Sequence, residues 1–190
     1  MSRDKIIEAA AKVFSKQGYF RTSMDEIAQA AGVAKGTLYY HFPSKSQLFK
    51  VLITEGLNMM KRQVTSVLNS NLPIDEQLKK VIWKHIQLFL EYSELAHITF
   101  NEISSGIDDD VLDEIQKIKN DYISFIADLL RTGYIEGYFY PFNYEIAASG
   151  IIGMLDGVCR YLLKHPDKIE YDKITQFMYN FIFSGIMKKE

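Results

Sequence analysis

The sequence predicts an all-α protein of about nine helices, in which a small N-terminal domain of three helices is joined to a larger helical domain. Hydrophobic residues recur with helical period along almost the whole chain, only four prolines interrupt it, and β-type alternation is scarce. With 47% hydrophobic and 24% charged residues among 190, the composition is that of a globular protein. The 13% of aromatic residues are enough to line a cavity as well as a core.

Charge is distributed unevenly along the chain, although the net charge is only −2. Residues 1–50 contain eight Lys and Arg against four Asp and Glu, whereas the remainder contains 14 basic and 20 acidic residues. The first segment therefore carries +4 and the rest −6. This asymmetry predicts that the N-terminal part meets a polyanion, while the acidic remainder is kept away from it.

Capping residues and glycines mark the first three helices. The first helix ends at Gly18, and its apolar face comprises Ile6, Ala10, Val13 and Phe14. The second begins at a capping box in which Ser23 caps the helix and Glu26 reaches back, and it stops at Gly32. The third spans about residues 34–41 and turns Leu38 inward, with Ala34 at the cap position.

A long helix is expected after Pro43, because Ser44 to Gln47 form a second capping box. This helix ends near Asn69 and is expected to link the first fifty residues mechanically to the rest. Five further helices are predicted at residues 74–92, 95–104, 108 to about 133, 144–164 and 169–188. An aromatic loop is predicted over residues 134–141.

The short third helix has the side chains that a DNA-reading element needs. Its back packs through Leu38, and its other faces carry groups suited to phosphates and base edges. Lys35 can donate to guanine or phosphate, and Gly36 lets the backbone approach the duplex. The helix-turn-helix arrangement therefore predicts double-stranded DNA as a partner. The candidate DNA-binding residues are Thr22, Ser23, Lys35, Gly36, Thr37, Tyr39, Tyr40, His41 and Lys45.

These residues resemble a known family. AGVAKGTLYYHFPSKSQLF, with the preceding TSMDEIAQ, is similar to the DNA-binding signature of TetR-family transcriptional regulators over roughly Ile6–Leu52. The resemblance implies a DNA-binding domain at 1–47 and an effector-binding and dimerisation domain at 48–190. It also implies a palindromic operator and a homodimeric repressor that a small-molecule effector releases from DNA.

The last two helices are where the resemblance places the dimer interface. Small residues on one side of the first helix, beside an apolar second helix, independently favour a four-helix bundle between two copies. The candidate interface residues are Ala147, Gly150, Gly153, Gly157, Phe177, Met178, Phe181, Ile182 and Gly185.

An effector pocket is also implied, and polar or aromatic members of inward-facing stripes are its candidates. A core role for the aromatic stripes, and a satisfied core histidine at His85, are the alternatives. Asp156 and Arg160 are predicted to form a local ion pair. A hydrophobic or aromatic effector, such as a fatty acyl species or a lipophilic drug, would suit these residues. The candidates are Trp83, His85, Phe89, Tyr92, His97, Phe100, Asn101, Tyr122, Phe125, Met154, Leu155 and Cys159.

Other classes of protein find less support. The four histidines and the single Cys159 lack metal spacing, and glycine-rich phosphate loops and nucleophile elbows are absent, so we expect neither an enzyme nor a cofactor. A helical adaptor would not need the cluster from Lys35 to Lys45. With no signal-type segment and no apolar run of about 18 residues, the cytoplasm is expected and a membrane partner is not.

Overall fold

The computed structural model describes residues 2–68, 71–101 and 108–184, without the side chains of residues 97 and 99–101. Nine α-helices and one short 3-10 helix, Pro166–Lys168, occur in this part of the chain, which confirms the all-α fold class. The α-helices are α1 Ser2–Gln17, α2 Met24–Ala31, α3 Lys35–His41, α4 Lys45–Thr65, α5 Ile74–Glu91, α6 Ser93–Asn101, α7 Asp109–Ile135, α8 Tyr144–Lys164 and α9 Tyr171–Phe183.

The chain divides into two compact units. The N-terminal unit comprises Met1–Asn58 and Tyr92–Ile118, and the C-terminal unit comprises Met59–Glu91 and Lys119–Glu190. α4 and α7 therefore contribute residues to both units. The domain boundary expected between residues 47 and 48 divides the chain by function, whereas these units divide it by packing. That boundary therefore stays a prediction.

Aromatic packing forms the core of the N-terminal unit, where α1 contacts α2, α3 and α6. Phe14 and Phe49 are fully buried, with ring centroids 5.3 Å apart in an edge-to-face arrangement. The ring of Tyr19 lies 4.8 Å from that of Phe49 and joins α4 to the turn after α1. This core holds α3 on one side through Leu38, which is fully buried.

In the C-terminal unit, α5 packs against both α8 and α9. The predicted aromatic loop differs from the structure at its start, because α7 continues to Ile135. Its turn places Phe139 in the core, where the ring stacks 5.5 Å from that of Phe183. Gly133 is required beneath it, since a Cβ there would lie 2.3 Å from the Phe139 ring.

Helix boundaries otherwise follow the sequence with small shifts. α8 has the predicted bounds, Tyr144–Lys164. α6 begins at Ser93, two residues before its predicted start, and its predicted end falls outside the described residues. α9 begins at Tyr171, two residues after its predicted start, because Ile169 and Glu170 are extended, and its predicted last residues, 185–188, are not described.

Candidate nucleic-acid interface and effector site

The helix-turn-helix is fixed at both ends of α2. The Ser23 backbone N–H donates to Glu26 Oε2 over 2.8 Å, and the Glu26 N–H donates to Ser23 Oγ over 3.2 Å, which confirms the capping box. The bond from the Ser23 backbone, then that from its hydroxyl, lowers the pKa of the Glu26 carboxyl. At the other end Gly32 has φ 63°, a left-handed conformation that favours glycine and turns the chain toward α3.

α3 presents its polar face to solvent. Tyr40 is 85% exposed and Tyr39 41%, whereas Leu38 is fully buried behind them. Lys35 and Gly36 are exposed, Thr37 is half-buried, and a Cβ on Gly36 would meet no atom within 4 Å. Ala34 provides no side-chain cap for α3, because a methyl group cannot accept a hydrogen bond. The face that the sequence predicts for DNA is therefore open.

Asp25 is a member of this surface that sequence reasoning missed. Its carboxylate lies 2.9 Å from Lys35 Nζ, and this hydrogen bond raises the pKa of the Lys35 ammonium. The pair spans α2 and α3, and it lines a shallow groove together with Thr22, Ser23, Met24, Tyr39 and Lys45. Lys35 is thus held at the edge of the recognition helix before any DNA arrives.

Several of the nine candidate residues have their polar groups engaged inside the N-terminal unit, and Thr22 and His41 are two of them. Thr22 is only 2% exposed, and its hydroxyl donates to the Gly18 carbonyl oxygen over 2.7 Å. His41 is half-buried, and its Nε2 lies 2.8 Å from Ser2 Oγ. The Thr22 hydroxyl thus closes the turn between α1 and α2, and DNA binding by Thr22 stays a prediction.

Lys45, another candidate DNA-binding residue, has its ammonium engaged within the same unit. Its Nζ donates to the carbonyl oxygens of Tyr19 over 2.9 Å, Thr22 over 3.0 Å and, more weakly, Phe20 over 3.4 Å. It also lies 4.5 Å from the centroid of the Tyr19 ring. Because an ammonium has three hydrogens, these carbonyls occupy its donors, and Lys45 acts as a brace for the turn.

A buried polar network occupies the C-terminal unit. His85 on α5 is 7% exposed, and its two ring nitrogens face partners on different helices. Nδ1 lies 3.1 Å from the Tyr122 hydroxyl on α7, and Nε2 lies 3.1 Å from Asp156 Oδ1 on α8. The carboxylate of Asp156 thus reaches His85 across 71 residues of sequence, and its predicted pair with Arg160, one turn away, stays a prediction.

Aromatic rings surround this network. Phe89 is buried 6.4 Å from His85, and Phe125 stacks 6.0 Å from Tyr122. Burial, followed by the Asp156 charge, raises the pKa of the Tyr122 phenol and of the Cys159 thiol well above their ordinary values. Both groups therefore stay neutral at physiological pH.

The other pocket candidates lie in several places. Leu155 and Cys159 are buried in the C-terminal unit, and Trp83 is half-buried with its ring 6.2 Å from Tyr171. Met154 is 38% exposed, so it faces away from this core, and Tyr92 belongs to the N-terminal unit. The side chains of three candidates fall outside the described part of the structure: His97, Phe100 and Asn101.

α8 and α9 leave an uncovered apolar face, on which most of the interface candidates lie. Phe177 and Phe181 are 63% and 62% exposed, and their rings stack 5.9 Å apart. Two further large apolar residues of α8 are also exposed, Ile146 at 71% and Tyr161 at 47%, and they were not predicted as interface residues. Ala147, Gly157 and Ile182 are half-buried, whereas Met178 is 2% exposed and packs in the protomer's own core; Gly185 is not described.

The glycines of α8 also face open space. A Cβ on Gly150, Gly153 or Gly157 would meet no atom within 4 Å, so these glycines are not required by packing inside the chain. By length and composition alone α8 could cross a membrane, and only 28% of its most apolar stretch is buried. Among the described residues, no group of three or more His, Cys, Asp or Glu could hold a metal ion.

Comparison with known proteins gives matches to both parts of the chain. Residues 6–52 match the family described as "Bacterial regulatory proteins, tetR family", and residues 71–161 match "Tetracyclin repressor-like, C-terminal domain". The uncharacterized HTH-type transcriptional regulator YhgD of Bacillus subtilis is 31% identical over 181 residues, which cover 95% of this chain and 94% of that protein.

Two solved structures of regulators named FadR are also similar. The fatty acid degradation regulator FadR of Bacillus halodurans has a TM-score of 0.86 at 26% identity, covering 97% of this chain and 95% of that one. Bacillus subtilis FadR in complex with stearoyl-CoA has a TM-score of 0.83 at 25% identity, covering 96% and 98% of the two chains.

The brace formed by Lys45 yields a stability prediction. Lys45→Met keeps the apolar stem and removes the ammonium, so we expect the free energy of unfolding to fall by about 2 kcal/mol, as charged hydrogen bonds are lost. Lys35→Met is the matched control, and it should change stability little because its ion pair is exposed. Urea unfolding followed by circular dichroism measures both. Equal stability of the two variants would contradict the brace.

Proposed function

Because the chain belongs to the TetR family of DNA-binding transcriptional regulators, we propose that it is a cytoplasmic homodimeric repressor that a long-chain acyl effector releases from its operator. The observation that carries this proposal is the exposed polar face of α3, backed by buried Leu38 and held by a capped α2. The uncovered face of α8 and α9 supports the dimer, and the similarity to a regulator bound to stearoyl-CoA supports the effector class.

DNA reading is assigned to the open face of α3. Lys35 would donate to a guanine edge, and Asp25 would restrain its position until DNA competes for the ammonium. Gly36 lets the helix approach the bases, since no side chain stands between its backbone and the duplex. Thr37 and the hydroxyls of Tyr39 and Tyr40 would bind phosphates or sugars and fix the register.

Four further candidates are assigned smaller parts. Ser23 is exposed at the start of α2, where backbone N–H groups favour a phosphate. His41 would contact DNA only if it gave up Ser2. Lys45 and Thr22 act indirectly, because they shape the turn that carries Ser23.

Dimerisation would cover the apolar face of α8 and α9. Exposed large apolar patches on soluble proteins mark interaction sites, and a two-fold axis would bring the same face of each copy together. Glycines 150 and 153, which have space above them, would allow close approach of two α8 helices. Two α3 helices would then enter successive major grooves, roughly 34–36 Å apart.

Effector binding in the C-terminal unit would shift the population toward a form that cannot engage both half-sites. α4 is the proposed link, because it begins beside the helix-turn-helix and ends in the C-terminal unit. The acyl chain would lie along the aromatic residues around His85. Neither an enzyme nor a helical adaptor requires DNA binding that weakens steeply with salt, so that property separates these classes.

Lys35 should read a base. In anisotropy titrations on DNA flanking the protein's own gene, Lys35→Met should reduce the ratio of specific to non-specific affinity roughly tenfold and relax preference at one base pair. Lys117→Met removes an exposed lysine on α7 and should leave that ratio unchanged. An unchanged ratio for Lys35→Met would remove Lys35 from base reading.

The aromatic face of α9 should hold the dimer together. We expect the double variant Phe177→Asp, Phe181→Asp to sediment as a monomer and to lose operator binding, because charge is placed where a partner must exclude water. Phe20→Asp alters an equally exposed phenylalanine, at 58%, outside this face and should leave the dimer intact. If both proteins sediment alike, the interface lies elsewhere.

Stearoyl-CoA should weaken operator binding about 5- to 150-fold, the range that coupling free energies of allosteric proteins usually span. Coenzyme A without an acyl chain is the control ligand, and it should have little effect because it buries no hydrocarbon. The titration is made by anisotropy at fixed salt. Tight binding of stearoyl-CoA with unchanged operator affinity would exclude the proposed switch.

A further inference from the structure

Asp25 places a negative charge on the surface that otherwise suits DNA, directly against the ammonium of Lys35. Both oxygens of its carboxylate are close to Lys35 Nζ, Oδ1 at 2.9 Å and Oδ2 at 3.0 Å. The two side chains are each 63% exposed, and ion pairs with such exposure contribute little to stability. An acid in this place also repels phosphates, so its cost to DNA binding calls for a role in DNA binding.

The ammonium of Lys35 can serve Asp25 and a base edge together. It has three hydrogens, and the two oxygens of the carboxylate occupy at most two of them. Guanine O6 and N7, the acceptors of the major groove, carry no net charge. Lys35 can therefore donate to guanine while the carboxylate stays beside it, and the ion pair keeps its balance of charge.

A phosphate is a different partner for the same ammonium. It brings a second negative charge next to the Asp25 carboxylate, and one ammonium cannot balance both anions. Either the two anions repel each other or Lys35 must leave Asp25, and both outcomes cost free energy. Asp25 therefore weakens the phosphate contact of Lys35 more than its guanine contact, and phosphate contacts supply essentially all non-specific affinity.

The neighbouring charged groups do not provide this discrimination. Lys45 lines the same groove, but its ammonium donates to backbone carbonyl oxygens of the turn before α2. The Glu26 carboxylate accepts from the cap of α2, and Arg21 Nε donates to the carbonyl oxygen of the last residue of α1. The charges of these three residues act on operator and non-operator DNA alike, because the phosphate backbone is common to both.

We propose that Asp25 is a specificity-determining residue, which keeps Lys35 for a neutral base edge and suppresses its contact with the phosphates of non-operator DNA. This inference rests on the proposed base reading by Lys35. It adds the means by which a lysine whose charge would suit any phosphate is reserved for guanine. Asp25 acts through Lys35, so it is a positioning residue rather than a direct reader of bases.

Three substitutions isolate the charge of Asp25. Asp25→Asn removes the charge at nearly constant shape, and Asp25→Glu keeps the charge. Glu8→Gln is the matched control, because Glu8 is also an exposed acid of the N-terminal unit, with 69% of its side chain accessible and its carboxylate 2.8 Å from Lys12. Thermal melts establish that each variant is folded.

The test measures anisotropy at several salt concentrations, with DNA flanking the protein's own gene and with a scrambled duplex of equal length and composition. Asp25→Asn should bind the scrambled duplex about eightfold more tightly at about 0.1 M salt, and its salt slope should steepen by about 0.9, the value of one added phosphate contact. It should also lose preference at the base pair that Lys35→Met relaxes. Its operator affinity should change little, since the gained phosphate contact offsets the lost base contact.

Lys35→Met should share the lost base preference with Asp25→Asn but gain no affinity for the scrambled duplex. Asp25→Glu and Glu8→Gln should keep the wild-type values for both duplexes. This pairing identifies action through Lys35, because simple removal of a repelling charge would tighten non-specific binding and leave base preference intact.

The possible failures are distinguishable. If the wild type binds both duplexes equally, the proposed repressor is wrong and the inference falls with it. If the wild type prefers the operator but Lys35→Met leaves every base preference unchanged, Lys35 reads no base and the role of Asp25 is overturned. Retained preference or unchanged non-specific affinity in Asp25→Asn would overturn that role while the proposed function stands. An equal gain of non-specific affinity in Glu8→Gln would also overturn it, since net charge alone would then explain the effect.

Discussion

Lys45 ties the first turn of α4 to the turn between α1 and α2, through hydrogen bonds from one ammonium to the carbonyl oxygens of Tyr19 and Thr22. That turn delivers Ser23, which caps α2, and α2 in turn positions α3. The same end of α4 is joined to the start of α7, since Lys50 Nζ lies 2.9 Å from Asp110 and 3.1 Å from Glu114. The position of α3 therefore depends on α4. A movement of α4 would be transmitted to α3 through the Lys45 hydrogen bonds and the cap of α2.

The protomer presents two kinds of surface that it does not satisfy alone. Around α3 the exposed groups are polar and match the chemistry of phosphates and base edges, whereas along α8 and α9 they are phenylalanine, isoleucine and glycine. In the proposed function, the surface around α3 binds DNA and the surface along α8 and α9 binds another copy of the chain. The core of the C-terminal unit contains a polar network, and a folded core would not need one to be stable.

Local features of the structure were predictable from the sequence, and distant ones were not. The capping box at Ser23 and the bounds of α8 depend on residues within a few positions, so the pattern of the chain identifies them. The partners of Lys45 lie 23 to 26 residues away and His85 meets Asp156 across 71, which no periodicity reveals. Both faces of α9 are apolar, so the sequence could not tell that Met178 packs inward while Phe177 faces out.

Linkage between the effector site and the operator-binding surface is measured by determining the affinity for stearoyl-CoA twice, once with the protein free and once with the protein saturated by operator DNA. If the sites are coupled, the dissociation constant of stearoyl-CoA must rise on operator-bound protein by the same factor by which stearoyl-CoA weakens operator binding. Equal dissociation constants for the free and the operator-bound protein would show that the two sites are independent, and would exclude the proposed switch.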